Sequence, residues 1–311
     1  MKEPGDLPMY LAFGDLGVDS VAMIDHLPKA DEKLWVEPVG DFSGGMMGNA
    51  AVAVASLGIS SGVVSVIGND ERGDVVLRGL HERGVDTRFV SRIDAPTFWA
   101  LSLTVASGDR TLIQFPTTAF GGDWEGFDRS LLSGTRWVHA IAEEGEPVGP
   151  LLRDAKGAGA TTSLDIEYPY SLRPELSNVL PHVDVAFMNA AAAEALGGPE
   201  EAARSVHERG VTTVLVTLGE KGAFLRDANG DCRSLMPGTV DAVDTNGAGD
   251  QFAGAYAAGI LKGFTTGEAA ELATFVAGHS TTAPGGHGPN TSLPELRALA
   301  GAAGFEWAER L

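Results

Sequence analysis

The chain has 311 residues, long enough for one large α/β domain or two small ones, and with 44% hydrophobic and 21% charged residues it is not a disordered polymer. It carries 22 basic and 42 acidic residues, a formal net charge of −20, so neither nucleic acid nor an anionic membrane surface is expected as a partner. A single cysteine, Cys232, excludes an internal disulfide and a thiolate zinc cluster, and a reducing cytoplasm is the simplest setting.

Residues 1–10 carry three charges and two prolines without an apolar run, so no secretory signal is expected. A first strand should end before Gly14. The stretches 18–24 and 34–39, joined by Pro28 and the charged segment 29–33, read as antiparallel strands outside the main sheet. Residues 42–69 hold no charge and are long enough to cross a bilayer. Six glycines, five serines and two asparagines interrupt them, and Asp41 and Asp70 flank them in place of Lys or Arg. They read instead as a buried glycine-rich loop, a helix over 49–57 and a core strand over 63–67.

A helix over 74–83 follows, then a hairpin of strands 97–105 and 111–115 turned by residues 106–109. Strands over 137–142, 161–166, 183–188 and 213–217 are near-continuous apolar runs, the pattern of parallel strands covered on both faces. Helices over 149–157, 190–196 and 199–209 alternate with them, and glycines 58, 84, 159, 197 and 210 stop the helices. This alternation predicts a Rossmann-like, doubly wound α/β/α fold. The strands within 18–43 and 95–116 form a small β lid on it rather than a second domain, so residues 1–311 read as a single domain. A second hairpin is expected over 223–226 and 232–235, turned at 228–230. The C-terminal third reads as helical, with two helices rich in small residues over 249–262 and 268–282.

Chemistry concentrates in three segments. In Asp244-Thr-Asn-Gly-Ala-Gly-Asp250 an extended stretch turns into a helix, whose first N–H groups and dipole favour an anion. Gly247 and Gly249 remove side chains that would block that anion, and Asp250 stands beside it. In Ser43-Gly-Gly-Met-Met-Gly-Asn49 the glycines let the chain approach a ligand, and Asn49 can both donate and accept hydrogen bonds, or simply cap a helix. Gly14-Asp-Leu-Gly-Val-Asp19 puts two carboxylates at the carboxyl edge of the sheet, where open α/β folds bind ligands.

These segments, in this order, resemble the ribokinase-like, or PfkB-type, carbohydrate kinase family. The resemblance rests on Gly44, Gly45 and Asn49 and on residues 244–250. It is extended by Leu57-Gly58, Ile67-Gly-Asn-Asp70, Gly73-Asp74, Gly84-Val-Asp86 and Thr217-Leu-Gly-Glu-Lys-Gly222. It implies a ribokinase-type fold and an enzyme that transfers the γ-phosphate of ATP to a sugar hydroxyl with Mg²⁺. Asp250 would be the general base, and Gly247, Ala248 and Gly249 the anion hole. Asp19, Gly44, Gly45 and Asn49 would bind the sugar, while Asn189, Thr217, Gly219 and Gly222 would bind the nucleotide. Asp244 matches a position that in some members helps hold a monovalent cation such as K⁺, and a homodimer through the lid is common among relatives.

One departure stands out. The family often has Asn-x-x-Glu, whose Glu acts through water on magnesium and phosphate, but here Asn189 is followed by Ala192. Glu194 lies two residues on, which on a helix turns a side chain about 200° away. Arg110, in the lid's hairpin, reads either as solvated charge or as a partner for an anionic group on the sugar. His139 reads either as a substrate contact or as an ordinary strand residue, and no histidine spacing marks a transition-metal site. The particular sugar is left open. A nucleoside kinase, with Met46, Met47 and Phe98 lining a base pocket, and a non-catalytic sugar- or nucleotide-binding relative are the alternatives.

Overall fold

A strand that hides both of its faces must lie between two helical layers, and six strands among the described residues do. The computed structural model describes residues 7–36, 38–105, 110–124, 126–142 and 147–311. Its first elements are β1 (Tyr10–Phe13), β2 (Gly17–Ile24), β3 (Pro38–Gly44), α1 (Met46–Ser56), β4 (Ser61–Gly68), α2 (Glu71–Glu82), β5 (Val90–Ile93), β6 (Trp99–Val105) and β7 (Arg110–Phe115). Then come β8 (Trp137–Ile141), α3 (Val148–Gly157), β9 (Thr161–Ile166), α4 (Leu176–Val179), β10 (Val185–Asn189), α5 (Ala190–Glu194) and α6 (Pro199–Glu208). The chain closes with β11 (Thr213–Thr217), β12 (Ala223–Arg226), β13 (Cys232–Leu235), α7 (Ala248–Leu261), α8 (Thr266–Ser280) and α9 (Leu293–Ala302).

The large sheet has the order β13-β12-β11-β10-β9-β8-β1-β4-β5. Every pair from β11 to β5 is parallel, and the hairpin β12–β13 adds an antiparallel edge. Side chains alternate across it. Tyr10, Ala12, Trp137, Phe187 and Leu215 enter one core with Val52, Phe252 and Tyr256 of α1 and α7. Leu11, Phe13, Val138, Leu164 and Val214 enter the other with Leu151, Leu152 and Val206 of α3 and α6. Each such valine, leucine or phenylalanine, fully buried, contributes about 1.5–3 kcal/mol of transfer free energy. The chain moves outward from β1 through β4 to β5, then returns to the other side of β1 with β8. The strand order therefore reverses beside β1, and a ligand crevice is expected at the carboxyl ends there.

The lid is a separate four-stranded sheet, β3-β2-β6-β7. Its strands fall where expected to within a residue or two, with three corrections. The strand expected over 34–39 runs instead over Pro38–Gly44, so that it enters the glycine segment, and Leu34 to Val36 lie in no strand. β2 is antiparallel to β3 but parallel to β6, because a long crossover, not a hairpin, connects β2 to β6. The turn expected over 106–109 and the side chain of Arg110 lie outside the described residues; the backbone of Arg110 pairs with Thr104. Within the lid Trp99 stacks on Phe115 at 3.9 Å with Arg72 above it at 4.3 Å, which is packing rather than a ligand platform.

β5 and α9 were not legible in the pattern: β5 is half-buried and exposed, without a run of apolar residues. Among the described residues no helix is long and apolar enough to cross a membrane. The uncharged segment 42–69 is the end of β3, then α1, then β4.

Candidate active site

Two helices begin at the crevice. α1 starts at Met46 behind Gly45, whose φ of 91° favours glycine and whose added Cβ would lie 2.6 Å from the Leu16 Cα. Asn49 therefore sits inside the first turn of α1, buried, and is not its cap. α7 starts behind Gly247 at φ 69°, where a Cβ would lie 2.7 Å from both Asn49 Nδ2 and the Gly286 Cα. The glycines at both starts let α1, α7 and the loop at 285–288 close on one another.

That closeness joins the two motifs. Asn49 Nδ2 donates to Asp250 Oδ2 at 2.8 Å, and Gln251 Nε2 donates to the Asn49 carbonyl at 3.0 Å and the Gly286 carbonyl at 3.1 Å. Beside them Asn246 Nδ2 donates to Asp19 Oδ2 at 2.6 Å. Asp19 in turn explains Gly44: a Cβ there would lie 2.3 Å from Asp19 Oδ2. Asp244 is buried and braces the loops, accepting from the Asn246 N–H and the Gly285 N–H, each at 2.9 Å. Asp19, Gly44, Gly45, Asn49, Asp244, Gly247 and Asp250 thus converge at one place.

At the mouth of α7 the surroundings open. A Cβ on Gly249 would meet nothing within 4 Å, and Gly249 is exposed. The N–H groups of Ala248 and Gly249 occupy the first turn, so an anion there faces partial positive charge and no side chain. Asp250 is 8% exposed beneath this opening. Burial raises its pKa well above the usual carboxylate range; the Asn49 bond pulls it down, and the charges of Asp165, Asp15 and Glu167 push it up.

The other expected nucleotide residues lie along the ends of β10 and β11. Asn189 ends β10 and caps α5, accepting from the Ala192 N–H at 2.8 Å. Thr217 ends β11, with its hydroxyl donating to the Met188 carbonyl at 3.3 Å. Gly219, at φ 60° and exposed, has open space around an added Cβ. Gly222 does different work, since a Cβ there would lie 1.9 Å from the Leu235 carbonyl oxygen; it permits the β12–β13 hairpin to close.

Ala192 is wholly buried and Glu194 is exposed, so the carboxylate two residues on does not reach the crevice. His139 lies inside β8, wholly buried, with Nδ1 2.8 Å from the Ser163 hydroxyl. It is a core residue, not a substrate contact. Met47 is likewise wholly buried in the core, and Phe98 packs on Phe120, so neither lines an open base pocket.

Sequence reasoning missed Asp165, Glu167 and Gln251. Asp165 is buried near the end of β9, and burial raises its pKa, with Glu167 and Asp15 adding to the effect. Asp15, 5% exposed, accepts from the Met46 N–H and has its pKa raised by burial to about 6. Acidic residues at the carboxyl end of a buried parallel strand were the available signal for Asp165 and Glu167.

Residues 11–293 match the profile of the pfkB family carbohydrate kinases. The chain is 26% identical over 284 residues to a ribokinase of Haemophilus influenzae, covering 88% of this chain and 92% of that one. It is 28% identical over 282 residues to a 2-dehydro-3-deoxygluconokinase of Bacillus subtilis, covering 82% and 86%. Among solved structures, a putative ribokinase II of Escherichia coli in complex with ATP and Mg²⁺ superposes with a TM-score of 0.82 at 25% identity, covering 95% of this chain and 100% of that one. That family match spans most of the chain, so the chain belongs to the pfkB family of carbohydrate kinases, ATP-dependent phosphotransferases that act on sugar hydroxyls.

Proposed function

We propose that this kinase binds a sugar between Asp19 and Asn49 under the lid, and ATP along Asn189, Thr217, Gly219 and Gly222 with its γ-phosphate at residues 247–249. Gly44 and Gly45 let the chain pass close to the sugar. Asp250 takes the proton of the attacking hydroxyl as its oxygen bonds to the γ-phosphorus and the bond from that phosphorus to the β-γ bridging oxygen breaks, releasing ADP. The observation that carries this reading is Asp250 itself, buried, held by Asn49 and opening onto the bare first turn of α7. Its raised pKa makes its carboxylate a stronger base than an exposed aspartate.

Mg²⁺ bound with ATP would neutralise the phosphates. The carboxylates at the ends of β1 and β9 suit a hydrated divalent ion, whose usual partners are oxygen ligands and substrate phosphates. Asp244 keeps the place we assign to a monovalent cation, whose charge would add to that of the α7 terminus. We read the two sheets as one catalytic domain with its lid, working in the cytoplasm where ATP is supplied. The lid leaves Met23, Leu112, Ile113 and Phe115 more than a third exposed, and we infer that a second copy covers them in a homodimer.

The test is ADP production with Mg²⁺, with and without K⁺, against pentoses, ketohexoses, 2-keto-3-deoxy sugar acids, phosphorylated sugars and nucleosides. Turnover on one sugar, reduced at least about 10²-fold in Asp250→Asn while the sugar still binds, is the expected result. An Asp250→Asn variant that keeps a tenth of the turnover overturns the role of Asp250, and turnover on nucleosides alone overturns the sugar.

A further inference from the structure

Helix α5 offers no carboxylate to the crevice: Ala192 is buried, and its first acidic residue, Glu194, is exposed. A carboxylate reaches Asn189 from another strand. Glu167 follows β9 directly, is half-buried, and accepts from Asn189 Nδ2 through Oε1 at 3.0 Å. β9 and β10 are adjacent parallel strands, so their ends bring residues 22 apart in sequence side by side. Asn189 works in both directions, capping Ala192 with its oxygen and holding Glu167 with its amide.

Glu167 belongs to a group of carboxylates at the carboxyl ends of β1 and β9. Its charge acts on Asp15, Asp165 and Asp250. Asp15 adds an independent sign of a missing donor: its Oδ1 is buried without a hydrogen-bond partner among the described residues. A polyphosphate brought to residues 247–249 would meet these negative groups, and like charges in a partly dry crevice repel strongly. A cation between them turns repulsion into attraction.

We propose that Glu167, oriented by Asn189, is the residue through which this chain engages the divalent cation of the bound nucleotide. The inference rests on the reading of the site as an ATP site. Among the described residues no three His, Cys, Asp or Glu side chains could hold a bare ion together. Glu167 would therefore act on the ion's water shell, as Mg²⁺ usually keeps several waters. The work done elsewhere by a helix carboxylate is moved here to the end of a strand, and Asn189 becomes a positioning residue for it.

The test measures ATP affinity by calorimetry with excess EDTA and with excess Mg²⁺, in the wild type, Glu167→Gln and Glu194→Gln. Gln at 167 keeps an oxygen for Asn189 Nδ2 and removes the charge. Wild type and Glu194→Gln should bind ATP more tightly with Mg²⁺. Glu167→Gln should lose at least about tenfold of that gain, the scale of losing an outer-shell partner of a metal, while binding metal-free ATP no more weakly than wild type. An undiminished gain in Glu167→Gln, or a loss in Glu194→Gln instead, overturns the inference and leaves the kinase reading standing. A wild type that makes no ADP from any sugar and whose ATP affinity ignores Mg²⁺ overturns both.

Discussion

Asn49 and Asp250 lie 201 residues apart and join α1 to α7 through one hydrogen bond of 2.8 Å. The bond fixes one carboxylate oxygen and opposes the burial that raises the Asp250 pKa. A hydrogen bond to a charged group is worth about 1.5–3 kcal/mol. Removing the amide in Asn49→Ala takes away the influence that favours the ionised base, so the Asp250 pKa rises further. The low-pH limb of the kcat/KM profile should then move to higher pH, with activity at high pH falling less than activity at neutral pH. A profile of unchanged shape, merely scaled down, would mean that Asn49 binds sugar without tuning the base.

Gly44 is glycine because Asp19 lies over it. Its φ is ordinary, so alanine meets no backbone strain; the new Cβ at 2.3 Å from Oδ2 must push the Asp19 carboxylate aside and away from Asn246. Gly44→Ala should raise the sugar KM at least about tenfold, equivalent to about 1.4 kcal/mol. ATP affinity and melting temperature should change little. If the KM holds steady, Asp19 is not the sugar contact.

These two relationships show what the sequence discloses and what it withholds. The motif glycines at 44, 45, 247 and 249 and the carboxylate at 250 stand in short local patterns, and local geometry gives them meaning. Most of the parallel strands disclose themselves too, because burial on both faces favours apolar runs such as Tyr10–Phe13 and Val214–Val216, although β9 buries Thr162, Ser163 and Asp165 as well. The pair Asn246–Asp19 and the pair Asn189–Glu167 leave no such trace, since neither periodicity nor a shared loop connects their members. Gln251 is hidden for another reason: a polar residue in an apolar helix looks exposed until the carbonyls of Asn49 and Gly286 are seen to bind it. The β3 strand lies later than its pattern suggests because the chain stays extended into Phe42, Ser43 and Gly44, where glycines read as a loop.

Arg110 begins β7 in the lid, paired through its backbone with Thr104, in a chain of net charge −20. So acidic a protein needs a local cation to accept a negatively charged sugar, and a guanidinium can bind a carboxylate or phosphate through two hydrogen bonds. Arg110→Ala should therefore raise the KM for acidic or phosphorylated sugars at least about tenfold, a loss of about 1.4 kcal/mol, and leave neutral sugars within about a factor of two. Equal weakening of both classes would count against an anion contact at Arg110, and no weakening of either would leave it a solvated residue of the lid's surface.

His139 is wholly buried between Tyr10 and Phe187, with Ser163 on Nδ1, and burial lowers its pKa to about 3. Unfolded, the same imidazole titrates near 6.5. The unfolded chain therefore binds the proton first as the pH falls, and stability that is present above pH 6.5 drains away below it. Between pH 7 and pH 4.5 this amounts to about 3 kcal/mol, two pH units at about 1.4 kcal/mol each. His139→Asn keeps a polar atom for Ser163 but cannot take up that proton. The variant should be less stable than wild type at pH 7, and the gap should narrow by about 3 kcal/mol at pH 4.5. His287, also lowered to about 3 by burial, titrates in both proteins and cancels from the difference. Urea unfolding of the two proteins at both pH values measures it, and a gap that stays constant would show that His139 folds in its charged form.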